Sequence, residues 1–327
     1  MNAAPHIGVL YTGGTIGMQP RGGTLAPSAG IVGSLQATLQ AMHGEEGPRW
    51  RIATLAQPID SADATTATWH AMADAILALA DAGCDGVLVL HGTDTMAYSA
   101  AAMAFLLHGL AVPVVFTGSM LPAVETGSDA WPNVRGAVAA LRAPGAAGVH
   151  LHFAGRTLSA VRCSKRRSDG FDAFAERAGP AASRSLDSVA APWNPRHAWT
   201  PRRVALLTLH PGFAPELLDA LRLAGVAGCV LSCYGSGTAP TGDAAFVAAL
   251  GRAHAAGMVL LAVSQCPEGQ ARLGTYEAGQ RLRDAGVIDG GGMTAEAALG
   301  KLHALLAAGL PARECAHWLQ RNLCGEL

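Results

Sequence analysis

Short aliphatic runs alternate with segments of helical periodicity along most of the chain. The runs are continuous rather than alternately polar and apolar, which is typical of strands buried on both faces of a sheet. Eight runs are predicted to be strands: Ile7–Tyr11, Arg51–Leu55, Val87–Leu90, Val114–Thr117, Val149–Phe153, Val204–Leu209, Cys229–Ser232 and Val259–Ser264. Five segments with apolar residues at helical spacing are predicted to be helices: Thr68–Ala80, Met96–Leu107, Pro215–Leu223, Ala244–Ala256 and Ala295–Leu306. This succession predicts parallel sheets covered by helices.

The succession is interrupted between about residues 178 and 201, where four prolines and small polar residues follow no period. Such a segment is typical of a connection between domains. We predict an N-terminal catalytic α/β domain at residues 1–185, a linker at 186–203 and a C-terminal α/β domain at 204–327. The expected fold class is therefore two α/β domains. The larger has a mostly parallel sheet flanked by helices, and the smaller has a parallel sheet.

Composition narrows the class of protein. Of 327 residues only 14% are charged, and the formal net charge of −1 argues against a nucleic-acid-binding or disordered chain. No secretory signal is readable and no uncharged apolar run is long enough to span a bilayer, so we expect a cytoplasmic protein without membrane contact. The seven cysteines have no zinc-type spacing, which fits reduced thiols and no metal.

In an open parallel sheet ligands bind at the carboxyl ends of strands, so the loop after the first strand is a candidate site. This loop, Thr12–Gly17, has the sequence TGGTIG. Its adjacent glycines permit a tight turn and a close approach to the backbone, and Thr15 adds a hydroxyl. The loop has neither the GK[ST] of a P-loop nor the GxGxxG spacing, which argues against nucleotide binding. Thr15 is then either a nucleophile or a helix N-cap.

Three further loops follow predicted strands and carry hydroxyls or carboxylates. His91–Thr95 leads directly into a helix, so Thr93 or Asp94 is either a helix cap or a chemical group. Asp60–Asp63 offers a carboxylate and a hydroxyl that suit the ammonium or carboxylate group of a ligand. Thr117–Ser119 again ends a strand in hydroxyls.

Lysine occurs at only two positions, 165 and 301, so 21 of the 23 Lys and Arg residues are arginines. Unlike arginine, lysine can release a proton when it is desolvated or held near partners. We therefore expect a chemical role for Lys165, which lies in the segment Cys163–Arg167, and a structural role for Lys301 on a helix. The alternative for the three adjacent cations Lys165, Arg166 and Arg167 is a solvated surface.

Together these motifs resemble a known family, the bacterial L-asparaginases, and specifically their cytoplasmic type I branch. The TGGTI and HGTDT pair, in this order and after strands, is highly specific. The matching segments are YTGGTIGM (Tyr11–Met18), DSAD (Asp60–Asp63), LHGTDTMAYSA (Leu90–Ala100), TGS (Thr117–Ser119), SKRRSDGFDAF (Ser164–Phe174) and CYGSGTAP (Cys233–Pro240).

The resemblance implies a hydrolase that converts L-asparagine and water to L-aspartate and ammonia without a metal or organic cofactor. It implies that Thr15 is a nucleophile forming an acyl-enzyme, and that Thr93, Asp94 and Lys165 form a proton relay. It also implies a small amino-acid amide as the substrate and a homodimer or homotetramer as the assembly. Substrate-binding roles are implied for Gly14, Asp60, Ser61, Gly92 and Ser119.

Two positions depart from the family pattern. Leu25 stands about where the family carries a loop tyrosine, and Thr238 stands where many members have asparagine. Both changes remove hydrogen-bonding groups, so we hypothesise weakened turnover or a shifted substrate preference. The alternatives are a related amidohydrolase acting on L-glutamine, D-asparagine or β-aspartyl compounds, and a catalytically weak amino-acid-binding or sensing protein on the same scaffold.

Overall fold

The structure is a computed structural model and describes residues 4–21, 24–27, 31–44, 47–178 and 191–327. The chain divides into two compact units, Met1–Glu176 and Arg177–Leu327. The predicted linker at 186–203 begins outside the described residues, and its described part, from residue 191, belongs to the second unit. The predicted domain boundaries stay predictions.

The first unit alternates strands and helices. In chain order its described strands are β1 (His6–Gly13), β2 (Met18–Arg21), β3 (Thr24–Pro27), β4 (Arg49–Ile59), β5 (Gly86–Leu90), β6 (Val114–Thr117), β7 (Val149–Phe153), β8 (Arg156–Ser159), β9 (Cys163–Lys165) and β10 (Phe174–Glu176). Its described α-helices are α1 (Ile31–His43), α2 (Thr66–Asp81), α3 (Met96–Leu106) and α4 (Ala130–Leu141).

The main sheet of this unit has the strand order β4-β1-β5-β6-β7-β8. The first five strands are parallel and β8 is antiparallel to β7. Because β1 lies between β4 and β5, the chain passes from one side of β1 to the other. This order creates a switch point between β1 and β5, where open α/β sheets bind ligands. Two antiparallel pairs, β2 with β3 and β9 with β10, lie outside the main sheet.

Burial explains the continuous aliphatic runs of the central strands. The expectation of burial on both faces is wrong for β4, which lies at the edge of the sheet and is buried only at Leu55. All five residues of β5 are buried, because helices cover a parallel sheet on both faces. Helix α3 is buried along almost its whole length, and its sequence is accordingly apolar all round rather than amphipathic. The helix that follows β5 is therefore part of the core of the unit.

The second unit repeats this architecture on a smaller scale. Its four described strands are parallel and lie in chain order: β11 (Val204–Thr208), β12 (Gly228–Cys233), β13 (Val259–Ser264) and β14 (Val287–Asp289). Its described helices are α5 (Glu216–Leu223), α6 (Ala244–Ala255), α7 (Glu277–Asp284), α8 (Ala295–Ala307) and α9 (Ala312–Leu319). Leu231 and Leu260 on the central strands pack with Phe246 of α6 in its core.

The predicted fold class is confirmed, and each predicted strand and helix is present with small shifts at its ends. The pattern did not predict α1, α4, α7, α9, the parallel strand β14 or the short antiparallel strands. In α4, Pro132 and Gly136 interrupt the periodicity, although proline is tolerated in the first turn of a helix. Within the described residues, no helix is both long and apolar enough to cross a membrane.

Candidate active site

The candidate site lies at the carboxyl edge of the parallel sheet in the first unit. The loops that follow β4, β1, β5 and β6 leave the sheet at this edge, because parallel strands end on the same side. These loops contain every site residue predicted from the sequence except Lys165. The switch point between β1 and β5 lies in the middle of the group.

The loop after β1 is in close contact with the loop after β5. Gly13 and Gly14 have φ angles of 117° and 83°, which favour glycine. A methyl carbon added to Gly14 would lie 2.3 Å from the Cα and N atoms of Gly92, and one added to Gly13 would lie 2.0 Å from the Ile59 oxygen. No side chain fits at either position, so the two glycines allow the two threonine-bearing loops to approach each other.

Thr15 directly follows this contact. It is half-buried and begins a short 3₁₀ turn, Thr15–Gly17, whose N-cap is Gly14. The interpretation of Thr15 as a helix N-cap is therefore wrong. The Tyr11 hydroxyl lies so close to Gly17 that a methyl carbon there would be 1.9 Å from it. Burial raises the pKa of Tyr11 to about 12, so its phenol stays neutral under the turn.

Three of the predicted catalytic residues are in direct contact. Lys165 Nζ donates to Thr93 Oγ1 at 2.9 Å and to Asp94 Oδ1 at 2.6 Å. Thr93 is buried, whereas the side chains of Lys165 and Asp94 are 17% and 64% exposed. Helix α3 has Thr95 as its N-cap, so the capping interpretation of Thr93 and Asp94 is wrong. The cluster joins a buried hydroxyl, an amine and a solvent-accessible carboxylate.

Lys165 reaches this cluster from a distant part of the chain. It ends β9, which packs against α3 and pairs with β10 in the register Phe174 to Lys165. Arg166 and Arg167 are exposed, and Arg167 is 4.0 Å from Asp172. The run of three cations is therefore divided, because Lys165 contacts the β5 loop while the two arginines match the solvated-surface alternative.

The loop after β4 places Ser61 against the β5 loop. Ser61 is 2% exposed, and a methyl carbon on Gly92 would lie 2.6 Å from its Oγ. Asp60 Oδ1 accepts a hydrogen bond from the Ala62 nitrogen at 3.1 Å and so caps the 3₁₀ turn Ser61–Asp63. Gly92 therefore contacts both Gly14 and Ser61, and three strand-end loops meet at this glycine.

Ser119 lies in the turn after β6 and is buried. Its Oγ donates to the Leu121 oxygen at 2.5 Å, so the hydroxyl is engaged within its own turn. The preceding Gly118 is so close to the β5 loop that a methyl carbon there would be 2.2 Å from the His91 oxygen. The turn is therefore part of the loop cluster, while the Ser119 hydroxyl bonds within the turn.

His91 supports the site, although the sequence motifs did not single it out. Its Nδ1 is 2.7 Å from the Gly92 oxygen, and this nitrogen carries the hydrogen because a carbonyl oxygen only accepts. Burial lowers the pKa of His91 to about 4, although the bond to Gly92 opposes the shift. This bond turns the Gly92 carbonyl toward the neutral ring. Because the peptide between Gly92 and Thr93 is trans, the Thr93 N–H points in the opposite direction, away from His91. The position of His91 at the end of a buried strand was the available signal.

Comparison with known proteins decides the family. Residues 6–196 match the model of the N-terminal domain of asparaginases, and residues 203–319 match that of the C-terminal domain of glutaminases and asparaginases. The chain belongs to the asparaginase family. It is thus an amidohydrolase, as the resemblance implied.

This asparaginase-family chain is similar to its relatives over nearly its whole length. It is 36% identical to L-asparaginase 1 of Escherichia coli K12, over 98% of this chain and 97% of that protein. The crystal structure of L-asparaginase I from Vibrio cholerae matches at 33% identity and a TM-score of 0.83, covering 99% of each chain. The thermostable L-asparaginase from Thermococcus kodakarensis matches at 30% identity and a TM-score of 0.84, covering 98% of this chain and 99% of the other.

The two departures from the asparaginase pattern have different structural settings. The Leu25 side chain lies outside the described residues, although its backbone belongs to β3. Thr238 is in the second unit, where its Oγ1 is 3.5 Å from the Tyr234 oxygen and its backbone exchanges hydrogen bonds with the same residue. In the described residues of this asparaginase-family chain, no three His, Cys, Asp or Glu side chains are grouped to hold a metal ion.

Proposed function

We propose that this amidohydrolase converts L-asparagine and water to L-aspartate and ammonia. One observation carries the proposal: Lys165 Nζ bonds both Thr93 Oγ1 and Asp94 Oδ1, beside the loop contact that Thr15 follows. A hydroxyl held by an amine that is itself held by a carboxylate repeats the logic of hydrolytic triads. The similarity to the E. coli L-asparaginase along nearly the whole chain supports this substrate.

In the first half-reaction the Thr15 oxygen attacks the side-chain amide carbon of the substrate. A C–O bond forms and the C–N bond breaks, which gives an ester at Thr15 and releases ammonia. The ammonia takes up the proton that Thr15 loses. Thr93 is suited to transfer this proton, because Lys165 donates to its oxygen and leaves the hydroxyl hydrogen available to the leaving nitrogen.

In the second half-reaction water attacks the ester carbon. The bond from that carbon to the Thr15 oxygen breaks, L-aspartate is released, and a proton from the water restores the Thr15 hydroxyl. Lys165 exchanges protons with Thr93 in both halves, and Asp94 holds the amine in place. The exposure of Asp94 connects this relay to solvent.

Binding and charge stabilisation are assigned to the loops around the relay. The Thr93 N–H, oriented by His91, is a donor for the developing oxyanion, an interaction that contributes about 3–4 kcal/mol in comparable sites. Asp60 and Ser61 hold the α-amino and α-carboxylate groups of the substrate. The backbones of Gly14, Gly92 and Ser119 are assigned to the same substrate-binding site.

A coupled ammonia assay with L-asparagine, L-glutamine, D-asparagine and a β-aspartyl dipeptide tests the substrate. We expect the highest kcat/KM with L-asparagine. Thr15→Ala should lower kcat by at least about 1,000-fold, because no other hydroxyl replaces the nucleophile. Its thermal unfolding, followed by circular dichroism, should match that of the wild type. A Thr15→Ala variant with the wild-type rate would contradict the assignment of the nucleophile.

A catalytically weak amino-acid-binding or sensing protein on the same scaffold is the second candidate, and Leu25 favours it because the loop lacks the family tyrosine. Two measurements on the same protein preparation, calorimetric binding and ammonia release, distinguish the two functions. A sensor binds L-asparagine in a calorimetric titration and releases no ammonia, whereas the proposed enzyme releases ammonia from every molecule that it turns over.

Replacing Leu25 by tyrosine tests the hypothesis of weakened turnover. One restored hydrogen bond to the nucleophile should raise kcat on L-asparagine by up to about ten-fold. Leu25→Phe is the matched control, since it supplies the ring without the hydroxyl. Equal rates for Leu25→Tyr and Leu25→Phe would show that the missing hydroxyl does not limit turnover.

We further propose a cytoplasmic location and a homodimer or homotetramer. All seven cysteines lie in the described part of the chain and are in the thiol form, which supports a reducing compartment. Light scattering of the purified protein measures the assembly directly.

A further inference from the structure

Five of the described α-helices have threonine or aspartate as N-cap, and they use these side chains in two ways. Thr65, Asp243 and Thr294 accept hydrogen bonds from the first turns of α2, α6 and α8. This is the usual role of an N-cap side chain. Thr95 and Asp129 occupy the same position before α3 and α4, yet neither makes a capping bond. These two helices follow β5 and β6, whose loops belong to the candidate site.

The Thr95 hydroxyl bonds a different site loop instead. Its Oγ1 donates to the Ser61 oxygen at 2.7 Å, across 34 residues of sequence. The same oxygen accepts a hydrogen bond from the Ala64 nitrogen at 3.1 Å, and this bond closes the 3₁₀ turn after β4. Because Ser61 also lies against Gly92, Thr95 joins the loop that carries the relay to the loop that carries the proposed substrate-binding hydroxyl.

The Asp129 carboxylate holds the turn that contains Ser119. Both of its oxygens are 3.0 Å from the Met120 nitrogen, and Oδ1 also accepts from the Leu121 nitrogen at 3.2 Å. Oδ2 accepts from Asn133 Nδ2 at 3.0 Å. Asp129 is buried, and a buried carboxylate needs hydrogen-bond donors. Its donors include the backbone N–H groups of the turn that precedes α4, rather than those of the first turn of α4.

A helix is more stable when its N-cap side chain bonds its first turn, so this arrangement gives up local stability at α3. At α4 the Ser128 hydroxyl accepts a hydrogen bond from the Ala130 nitrogen at 3.1 Å, which leaves the Asp129 carboxylate for the preceding turn. We propose that Thr95 and Asp129 are positioning residues that hold Ser61 and the Ser119 turn in the geometry that binds the amino-acid part of the substrate. The inference rests on the proposed function for the identity of that substrate. It adds two residues that touch the loops rather than the reacting atoms.

The Thr95 arm compares Thr95→Val, which keeps the shape but removes the hydroxyl, with Thr95→Ser, which keeps the donor. Loss of one hydrogen bond should raise KM for L-asparagine by about ten-fold in Thr95→Val and change kcat much less. Thr95→Ser should restore KM. The matched control is Thr294→Val, which removes a capping bond and should lower the unfolding temperature without changing KM.

The Asp129 arm compares Asp129→Asn with Asp243→Asn. Asparagine caps a helix about as well as aspartate, so Asp243→Asn should leave both stability and KM near the wild type. In Asp129→Asn an NH₂ group replaces an oxygen that faces N–H donors, so the turn should loosen. We expect KM to rise by about ten-fold or more.

Wild-type KM in both Thr95→Val and Asp129→Asn overturns the proposal. Thr95→Ala replaces Thr95→Val if the latter does not fold. If no variant lacking the hydroxyl or the carboxylate folds, a purely structural role explains the residues and the proposal fails. If the wild type releases no ammonia from any amide, the proposed function fails separately. Calorimetric titration with L-aspartate then decides the positioning role, and an unchanged Kd in both variants overturns it.

Discussion

The two lysines of the chain mark two regions that look alike in chemistry and differ in setting. Lys165 and Lys301 each form an ion pair with an N–O distance of 2.6 Å, with Asp94 and Glu326 respectively. The first pair is partly exposed and includes the Thr93 hydroxyl. The second pair is completely buried. A short ion pair is therefore not by itself the sign of a catalytic site.

The surroundings of Lys301 explain its burial. Its Nζ donates to the Leu319 and Arg321 oxygens as well as to Glu326, and Glu326 accepts from the Leu323 and Cys324 nitrogens. These bonds connect α8 to the C-terminal segment and compensate the desolvation of both charges. No reactive hydroxyl is among these partners. The amine at Lys165 instead has a hydroxyl partner and is partly exposed, which suits the proposed proton relay.

Lys165→Arg should have the largest effect on activity. Guanidinium keeps its charge at all accessible pH values, so it cannot exchange protons with Thr93, and kcat should fall by about 10²- to 10⁴-fold. The free energy of unfolding should change by less than about 1 kcal/mol, because the pair is partly exposed. Arg166→Lys, at the exposed neighbour, is the control and should keep the wild-type rate. Near-normal turnover in Lys165→Arg would end the distinction between the two lysines.

Lys301→Met should have the opposite profile. It leaves the Glu326 carboxylate buried without its cation and should lower the free energy of unfolding in urea by about 3–5 kcal/mol. The double variant Lys301→Met, Glu326→Gln should lose less, because no uncompensated charge is buried. The folded fraction of either variant should keep the wild-type kcat. A fall in kcat at unchanged stability would assign Lys301 to the chemistry.

His91 combines the two settings, since it is buried like Lys301 and adjacent to Thr93 like Lys165. Its pKa falls from about 6.5 in the unfolded chain to about 4 in the folded protein, so the folded state resists protonation. The neutral His91 ring therefore contributes about 3 kcal/mol to the free energy of unfolding. This contribution is fully present above pH 6.5 and is lost as the pH falls toward 4. His91→Asn keeps a donor for the Gly92 oxygen without the titration. The free energy of unfolding of each protein is measured in urea at several pH values between 4 and 7. Curves that run parallel for the wild type and His91→Asn would contradict this account.

Much of the fold could be predicted from the sequence because buried parallel strands consist of continuous aliphatic runs. The same logic located Thr15, Asp60, Thr93 and Ser119, since strand-end loops in such a sheet converge on one edge. It did not find α4, whose periodicity is interrupted by Pro132 and Gly136. Nor could it separate a capping residue from a positioning residue, because Thr95 and Thr294 have the same residue type at the same helix position.

The sequence by itself determined the α/β class, the strand-end loops with their hydroxyls, and the scarcity of lysine that made Lys165 a candidate. These features are local, because periodicity, turn chemistry and residue type act over a few positions. Only the tertiary structure decided which lysine meets a hydroxyl and which is buried with Glu326. Those contacts join residues 72 and 25 positions apart, and long-range packing rather than local pattern determines them.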